Sequence, residues 1–204
     1  MISHMARPKV YSDDLRDKLL DAAVEVVADR GVGALSVREV AHLAGTSTTA
    51  VYSLLGSKTA LTAGVLVRSF ESFAAHQEEA VANSAPADVL AGLGAHYVGW
   101  ALENPRLYEL MFGGSLAGIP QSPELQAAAT RAMTPLHDGV VAAIAAGFVR
   151  RDAETATVMA SLWAQVHGLS MLLLSGHFPA EADPATAAMA VVDGWRPPST
   201  RTES

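Results

Sequence analysis

Between Ser36 and Lys58 the chain reads SVREVAHLAGTSTTAVYSLLGSK, and four hydroxyl side chains, Thr48, Thr49, Tyr52 and Ser53, are bracketed by two cations, Arg38 and Lys58. Residues three and four apart lie side by side on a helix, so these hydroxyls share one outer face. Short polar side chains of this kind contact phosphates and base edges in a major groove, and a threonine methyl can meet the methyl of thymine. Arg38, in the first turn of one helix, and Lys58, at the start of another, stand where phosphates would lie. Helix N-terminal amides add to the attraction for anions. The same corner of two helices also occurs as plain scaffold, and its glycine and caps do not separate the two readings.

A second set of residues has the chemistry of a small-molecule pocket. Phe70, Phe73, Tyr97, Trp100, Tyr108, Phe112, Phe148, Trp163, Phe178 and Trp195 are interleaved with His96, Glu103, Glu109, His137 and His167. Apolar walls with a few polar groups describe such a site, although aromatics at helical spacing also build cores. Trp163 and His167 are one turn apart on one face, and Gly168 permits close approach of another backbone. His167 reads either as a hydrogen-bonded structural histidine or as a pocket-lining one, and no second ligand stands at metal-binding spacing. An enzyme would need His167 or His137 as base with Glu103 or Glu109 as acid. The sequence carries no nucleophile elbow, phosphate loop or metal signature, so no catalytic residue, metal or cofactor is assigned and the chain is not read as an enzyme.

The elements that must position these groups are helical throughout. Apolar residues recur at spacings of three and four, and no useful length alternates as a strand would. Leu15, Leu19, Ala22, Ala23, Val26 and Val27 make one stripe, which Ser12 can cap and Gly31 can end. Ser36-Val-Arg-Glu39 has the form of a capping box opening a helix to about Ala44. After Gly45, Ser47 or Thr48 opens another to about Leu54, with Val40, Ala41 and Val51 in the shared core. Helix, short glycine turn, helix is the helix-turn-helix pattern. A longer stripe runs from Leu61 to Phe73 until Asn83-Ser84-Ala85-Pro86, and Val89, Leu93, Tyr97 and Trp100 form the next. Asn104-Pro105 opens a short helix and Gly113 to Pro120 is a loop. Ser122-Pro123 restarts a helix in which Pro135 predicts a kink or a one-turn break. Asp152 is expected to cap a helix that Gly176 closes, and Asp183-Pro184 opens the last, toward Trp195. The tail RPPSTRTES is expected to fray. The total is about nine helices.

Half of the 204 residues are apolar, enough to bury a sizeable core, and there is no cysteine, so disulfides and thiol chemistry are excluded. Net charge is −7 but unevenly placed: residues 1–68 carry eight basic against seven acidic side chains, and residues 69–204 carry six against fourteen. No basic-then-apolar leader opens the chain and no run reaches the roughly 18 apolar residues of a membrane span, the longest candidate being Val140 to Val149. A cytoplasmic protein without membrane contact is expected. MISHM before Ala6 reads as a cloning remnant, and His4 is given no role.

With those residues in view, the chain resembles the tetracycline-repressor (TetR/AcrR) family. The family's ordered pattern of Ser/Thr, Ala, Ala-Gly, Ser, Tyr, Lys and Leu is met by Ser36, Ala41, Ala44-Gly45, Ser47, Tyr52, Lys58 and Leu61. Where the family often has a second aromatic or histidine followed by Phe, this chain has Ser53, Leu54 and Leu55. YVGWALENPRLYELMF and LWAQVHGLS are similar to its WHG-type ligand-binding domains. The resemblance implies an all-α protein with a DNA-binding domain over 12–66 and a ligand-binding and dimerisation domain over 67–196. It implies a homodimeric repressor, paired through its last two helices, that leaves a palindromic double-stranded operator when a small apolar or amphipathic effector binds. The DNA-contacting set is then Ser36, Arg38, Ser47, Thr48, Thr49, Tyr52, Ser53 and Lys58. The effector-contacting set is Tyr97, Trp100, Tyr108, Met111, Phe112, Trp163, His167 and Met171. A dimer also follows from geometry, since one two-turn reading helix touches few base pairs and a second copy about 34–36 Å away is needed.

Overall fold

The structure, a computed structural model, describes residues 13–114 and 118–198. Among the described residues there are nine α-helices and no strand: α1 Asp13–Arg30, α2 Val37–Leu43, α3 Thr48–Leu55, α4 Lys58–Asn83, α5 Val89–Glu103, α6 Pro105–Phe112, α7 Pro123–Ala146, α8 Thr155–Leu174 and α9 Pro184–Gly194, with a 3-10 turn at Val32–Ala34. Ser12 and the tail beyond 198 lie outside the described residues.

The α1 stripe buries Leu19, Leu20, Ala23, Val26 and Val27, and these meet Val40 and Ala41 of α2, Val51 and Leu55 of α3, and Leu61 and Val65 of α4 in one core. That core does not stop at the boundary expected near residue 66. α4 runs unbroken through it, and the same cluster takes in Phe73, Tyr97, Trp100, Leu107, Tyr108, Leu110 and Met111. Helix α6 packs on α1 as well as on α4 and α5, so the second half of the molecule is mechanically joined to the first. A smaller cluster around Leu93, Val140, Val158 and Leu162 holds α5, α7, α8 and α9 together.

Three local expectations are corrected. The capping box at α2 does not form: Ser36 is the cap residue, but its hydroxyl takes no amide of α2, and Glu39 instead accepts from the Arg30 guanidinium at the end of α1. A guanidinium is a stronger partner for a carboxylate than a neutral amide is. Asp152 does not cap α8. Glu154 does, accepting from Ala156 N at 3.2 Å and Thr157 N at 2.8 Å. Asp152 lies two residues too early and faces Arg150. The one-turn break expected at Pro135 is not there: α7 is continuous from Pro123 to Ala146, and the proline ring is buried in its face.

The expectation that no segment has the length and apolarity of a membrane span is also corrected. α8 has 20 residues, an 18-residue window of mean hydropathy 1.4, and only 22% of that window buried. Its inward face, however, places Val158, Leu162, Leu169 and Ser170 in the packed interior.

Candidate nucleic-acid interface and inner cavity

The corner between α2 and α3 is closed by Gly45 at φ 65°, a left-handed conformation that only glycine adopts without strain. Its amide donates to His42 O at 3.1 Å and that of Thr46 to Ala41 O at 2.8 Å. Ser47 then caps α3, its hydroxyl accepting from Ala50 N at 3.2 Å. Ala50, Val51 and Leu55 turn inward, which leaves Thr48, Thr49, Tyr52 and Ser53 exposed together, Tyr52 at 52%. Gly56 ends α3 at φ 81°, and Ser57 caps α4 by accepting from Ala60 N at 3.0 Å, so that Lys58 stands in the first turn of α4. Arg38 and Lys58 are exposed, and among the described residues neither has a carboxylate partner. Ser36 is half-buried. Leu54 is half-buried and packs against the core, away from the hydroxyl face.

In the second half, four side chains from three helices meet through their polar ends. Tyr108 OH lies 2.7 Å from His167 Nδ1, Tyr97 OH lies 3.2 Å from both, and Trp163 Nε1 donates to Tyr97 OH at 3.3 Å. Burial raises the Tyr97 hydroxyl above its ordinary range; burial, reinforced by the neighbouring Tyr97, raises that of Tyr108 much further. Burial lowers His167. Both phenols therefore keep their protons and the imidazole stays neutral. Tyr108 and His167 therefore share a hydrogen bond between two neutral groups at Nδ1, with the Tyr97 hydroxyl beside it.

Behind this cluster a cavity of about 50 Å³ lies between α4, α5, α7, α8 and α9. Its apolar lining includes Phe73, Leu93, Met133, Val166 and Met189, and its polar lining is Gln77, Tyr97, Trp163 and Gln165, with no acidic or basic side chain. Of the residues the sequence assigns to an effector, Tyr97 and Trp163 line this cavity. Tyr108 and His167 stand behind them as hydrogen-bond partners. Trp100, whose indole donates to Ser72 Oγ at 3.2 Å, and Met111 are in the core, while Phe112 packs edge-on to His167. Met171 is 45% exposed on the outer side of α8, beside a shallow cleft that Tyr108 also borders. The structure does not bring the candidate acid–base groups together: His137 is exposed and pairs with Asp138 at 2.8 Å, and Glu109 with Arg106 at 3.6 Å.

The sequence reading missed Gln77, Met133, Gln165 and Met189. Gln77 could have been found, because it interrupts the apolar stripe of α4 four residues after Phe73 and three before Ala80. In the orientation that satisfies both ends of its amide, it donates to Leu93 O at 3.2 Å and accepts from Tyr97 N at 3.1 Å, which ties α4 to α5 beside the cavity. The methionines carry no such signal, since a methionine at helical spacing is simply apolar.

Residues 19–65 match the pattern of bacterial regulatory proteins of the tetR family, and residues 90–194, more than half of the chain, match the tetracyclin repressor-like C-terminal domain. The chain belongs to the TetR family. Curated relatives include HTH-type transcriptional regulator Rv1816 of Mycobacterium tuberculosis, 29% identical over 143 residues that make up 68% of this chain and 61% of the relative. The chain thus spans about 61% of the length of the curated relatives it matches. A protein of unknown function from Rhodococcus sp. RHA1 superimposes with TM-score 0.76 and 26% identity, covering 93% of this chain and 97% of that one. The putative regulatory protein SCO4313 does so with TM-score 0.69 and 26% identity, over 90% of this chain and 95% of its own. RolR, solved with resorcinol, shares the TetR fold at 18% identity and TM-score 0.64, over 90% of this chain and 88% of that one. TetR-family regulators bind DNA operators and small-molecule ligands.

Proposed function

We propose that this TetR-family protein is a cytoplasmic, homodimeric transcriptional repressor released from a palindromic operator by a small uncharged ligand. The observation that carries the reading is the α3 face: four exposed hydroxyl side chains flanked by Arg38 and Lys58, which have no carboxylate partner among the described residues, in the one part of an acidic chain that is not acidic. Arg38, Lys58 and Tyr52 hold phosphates, Ser36 and Ser47 stand at the helix starts where backbone amides meet the DNA, and Thr48, Thr49 and Ser53 face the bases.

A second copy is supported by α8. Its outer stripe of Ala160, Trp163, Ala164, Met171 and Leu172 is exposed, and no Asp, Glu, Lys or Arg occurs from Thr155 to Leu174. Small side chains at Ala160 and Ala164 let a partner helix approach closely, and with α9 alongside they make a four-helix contact. A second protomer covers this stripe better than lipid would, because the opposite face of the same helix is already committed to the core.

Ligand release is supported by the lining of the cavity and by its connection to α1. About 50 Å³ holds a few waters and no drug-sized molecule, so an effector that enters there displaces Trp163, Met133 or Met189. Tyr97 and Trp163 are tied through Tyr108 to α6, and α6 packs on α1 of the reading head. A ligand that moves them favours one spacing of the two heads over another, which is all that release requires. The lack of any charged lining residue selects uncharged ligands, since a buried unpaired charge is costly.

Fluorescence anisotropy on DNA from around its own gene, over a range of salt, tests the reading. Two cations in each of two half-sites give a log–log salt slope of roughly −4. No salt-sensitive binding, and no palindrome enriched from a random pool, refutes it.

A further inference from the structure

Helix α3 is eight residues long, Thr48–Leu55, about 12 Å of helix, close to the ~12 Å width of a major groove. Its composition, TTAVYSLL, contains no Arg, Lys, Asn, Gln, Asp, Glu or His. The strong base-reading pairs are therefore closed to it: it has no fork for guanine O6 and N7, no amide for adenine N6 and N7, and no carboxylate for cytosine N4. Of its eight side chains, Ala50, Val51 and Leu55 are buried and Leu54 packs against the core, so only Thr48, Thr49, Tyr52 and Ser53 can face DNA.

The four are not equivalent. A hydroxyl is both donor and acceptor and so discriminates poorly among bases. Tyr52 sits at the far end of the exposed face from the capped N-terminus, and its long phenol suits the backbone. Thr48 and Thr49 occupy the first turn, the end of a recognition helix that meets base edges. Each carries a methyl beside its hydroxyl, and in the major groove only thymine presents a methyl of its own.

We propose that α3 reads its half-site through thymine methyls, with Thr48 and Thr49 as the specificity-determining residues, so that the bases beneath α3 are T·A pairs and α3 itself contributes no guanine preference. This rests on the DNA-binding reading above. Among the described residues next to α3, guanidinium recognition of guanine is open to Arg38, which lies on α2 and flanks the α3 contact.

The full-length protein is used to select operators from a random DNA pool, and each thymine of the enriched half-site is then replaced by uracil, which removes the methyl and nothing else. At the one or two thymines beneath α3 the wild type is expected to lose roughly four-fold in affinity per half-site, the worth of one buried methyl, and about 16-fold when both half-sites are changed. Thr48→Ser with Thr49→Ser keeps the hydroxyls and is expected to bind thymine and uracil operators equally. Thr48→Val with Thr49→Val keeps the methyls and retains the discrimination. Both positions are solvent-facing, and unchanged melting curves verify the fold. If uracil at every thymine leaves wild-type affinity within 1.5-fold, or if the serine variant still discriminates, the proposal is overturned while DNA binding stands. A pool from which nothing is enriched overturns the DNA-binding reading itself.

Discussion

Gly94 lies inside α5, where a glycine costs a helix about 1 kcal/mol relative to alanine. A methyl added there would sit 3.5 Å from Val166 Cγ1 of α8, an ordinary contact, and would point into the wall of the inner cavity. Gly94→Ala therefore gains helix propensity and up to ~0.8 kcal/mol from burying the methyl, without strain. For a chain of this length about 1–2 kcal/mol raises Tm by roughly 2–8 °C. Gly64→Ala in α4 is the control. It gains the same propensity, but its methyl would overlap Leu20 Cδ2, and Leu20 is 3% exposed within the α1 core. Overpacking there costs about 1–3 kcal/mol, so the net change runs from zero to a loss of about 2 kcal/mol. Calorimetric melts should rank Gly94→Ala above wild type and Gly64→Ala at or below it. One methyl also takes a large share of so small a cavity, so Gly94→Ala should keep operator affinity in the anisotropy assay while responding less to effector. A Tm lowered by more than 2 °C in Gly94→Ala refutes the described gap between α5 and α8, and with it the cavity.

Three further outcomes follow from the geometry. Because burial lowers the pKa of His167 in the folded state, the unfolded chain binds more protons just below the ordinary histidine value near 6.5; stability should rise with pH up to about 6.5, and His167→Gln should flatten that part of a urea-midpoint profile taken from pH 5 to 7.5. A slope of the opposite sign in the wild type would count against a neutral, buried imidazole. Met171→Glu, on the exposed stripe of α8, should give monomers at micromolar concentration in analytical ultracentrifugation with the helical circular dichroism intact, and an unchanged sedimentation coefficient would remove α8 from the interface. Ser47→Ala should cost about 1 kcal/mol and Ser36→Ala well under half of that, since only the Ser47 hydroxyl accepts from its helix; equal losses in denaturant titrations would contradict the two cap geometries.

Local signals were well represented in the chain. Gly45 and Gly56 at positive φ, Ser47, Ser57, Ser122 and Asp183 as working caps, and Pro105, Pro123 and Pro184 at helix starts are all decided by the residue and its immediate neighbours. Caps fail as local signals when a distant group competes. Glu39 had the right spacing from Ser36 and was taken by Arg30, and nothing in SVRE foretells that the end of α1 lies beside it. At α8 two carboxylates stood two residues apart, and the choice of Glu154 over Asp152 was made by where the preceding turn leaves the backbone.

The exposed face of α3 was determined by the sequence alone. Burying Val51 and Leu55 against α1 and α2 leaves a helix of fixed period only one way to face, and Thr48, Thr49, Tyr52 and Ser53 must then be outside. Leu54 falls between Ala50 and Val51 on the helical repeat, so its inward turn follows from the same period, and only what it packs against needed the tertiary structure. The cavity was decided there too. Trp163 and His167 are neighbours by helical repeat, but their meeting with Tyr97 and Tyr108 joins residues about 60 to 70 positions apart, and the gap that Gln77 and Met189 help to line joins residues farther apart still. A period specifies which side chains share a face of one helix. Which faces are pressed together, and what space is left between them, depends on the packing of all nine.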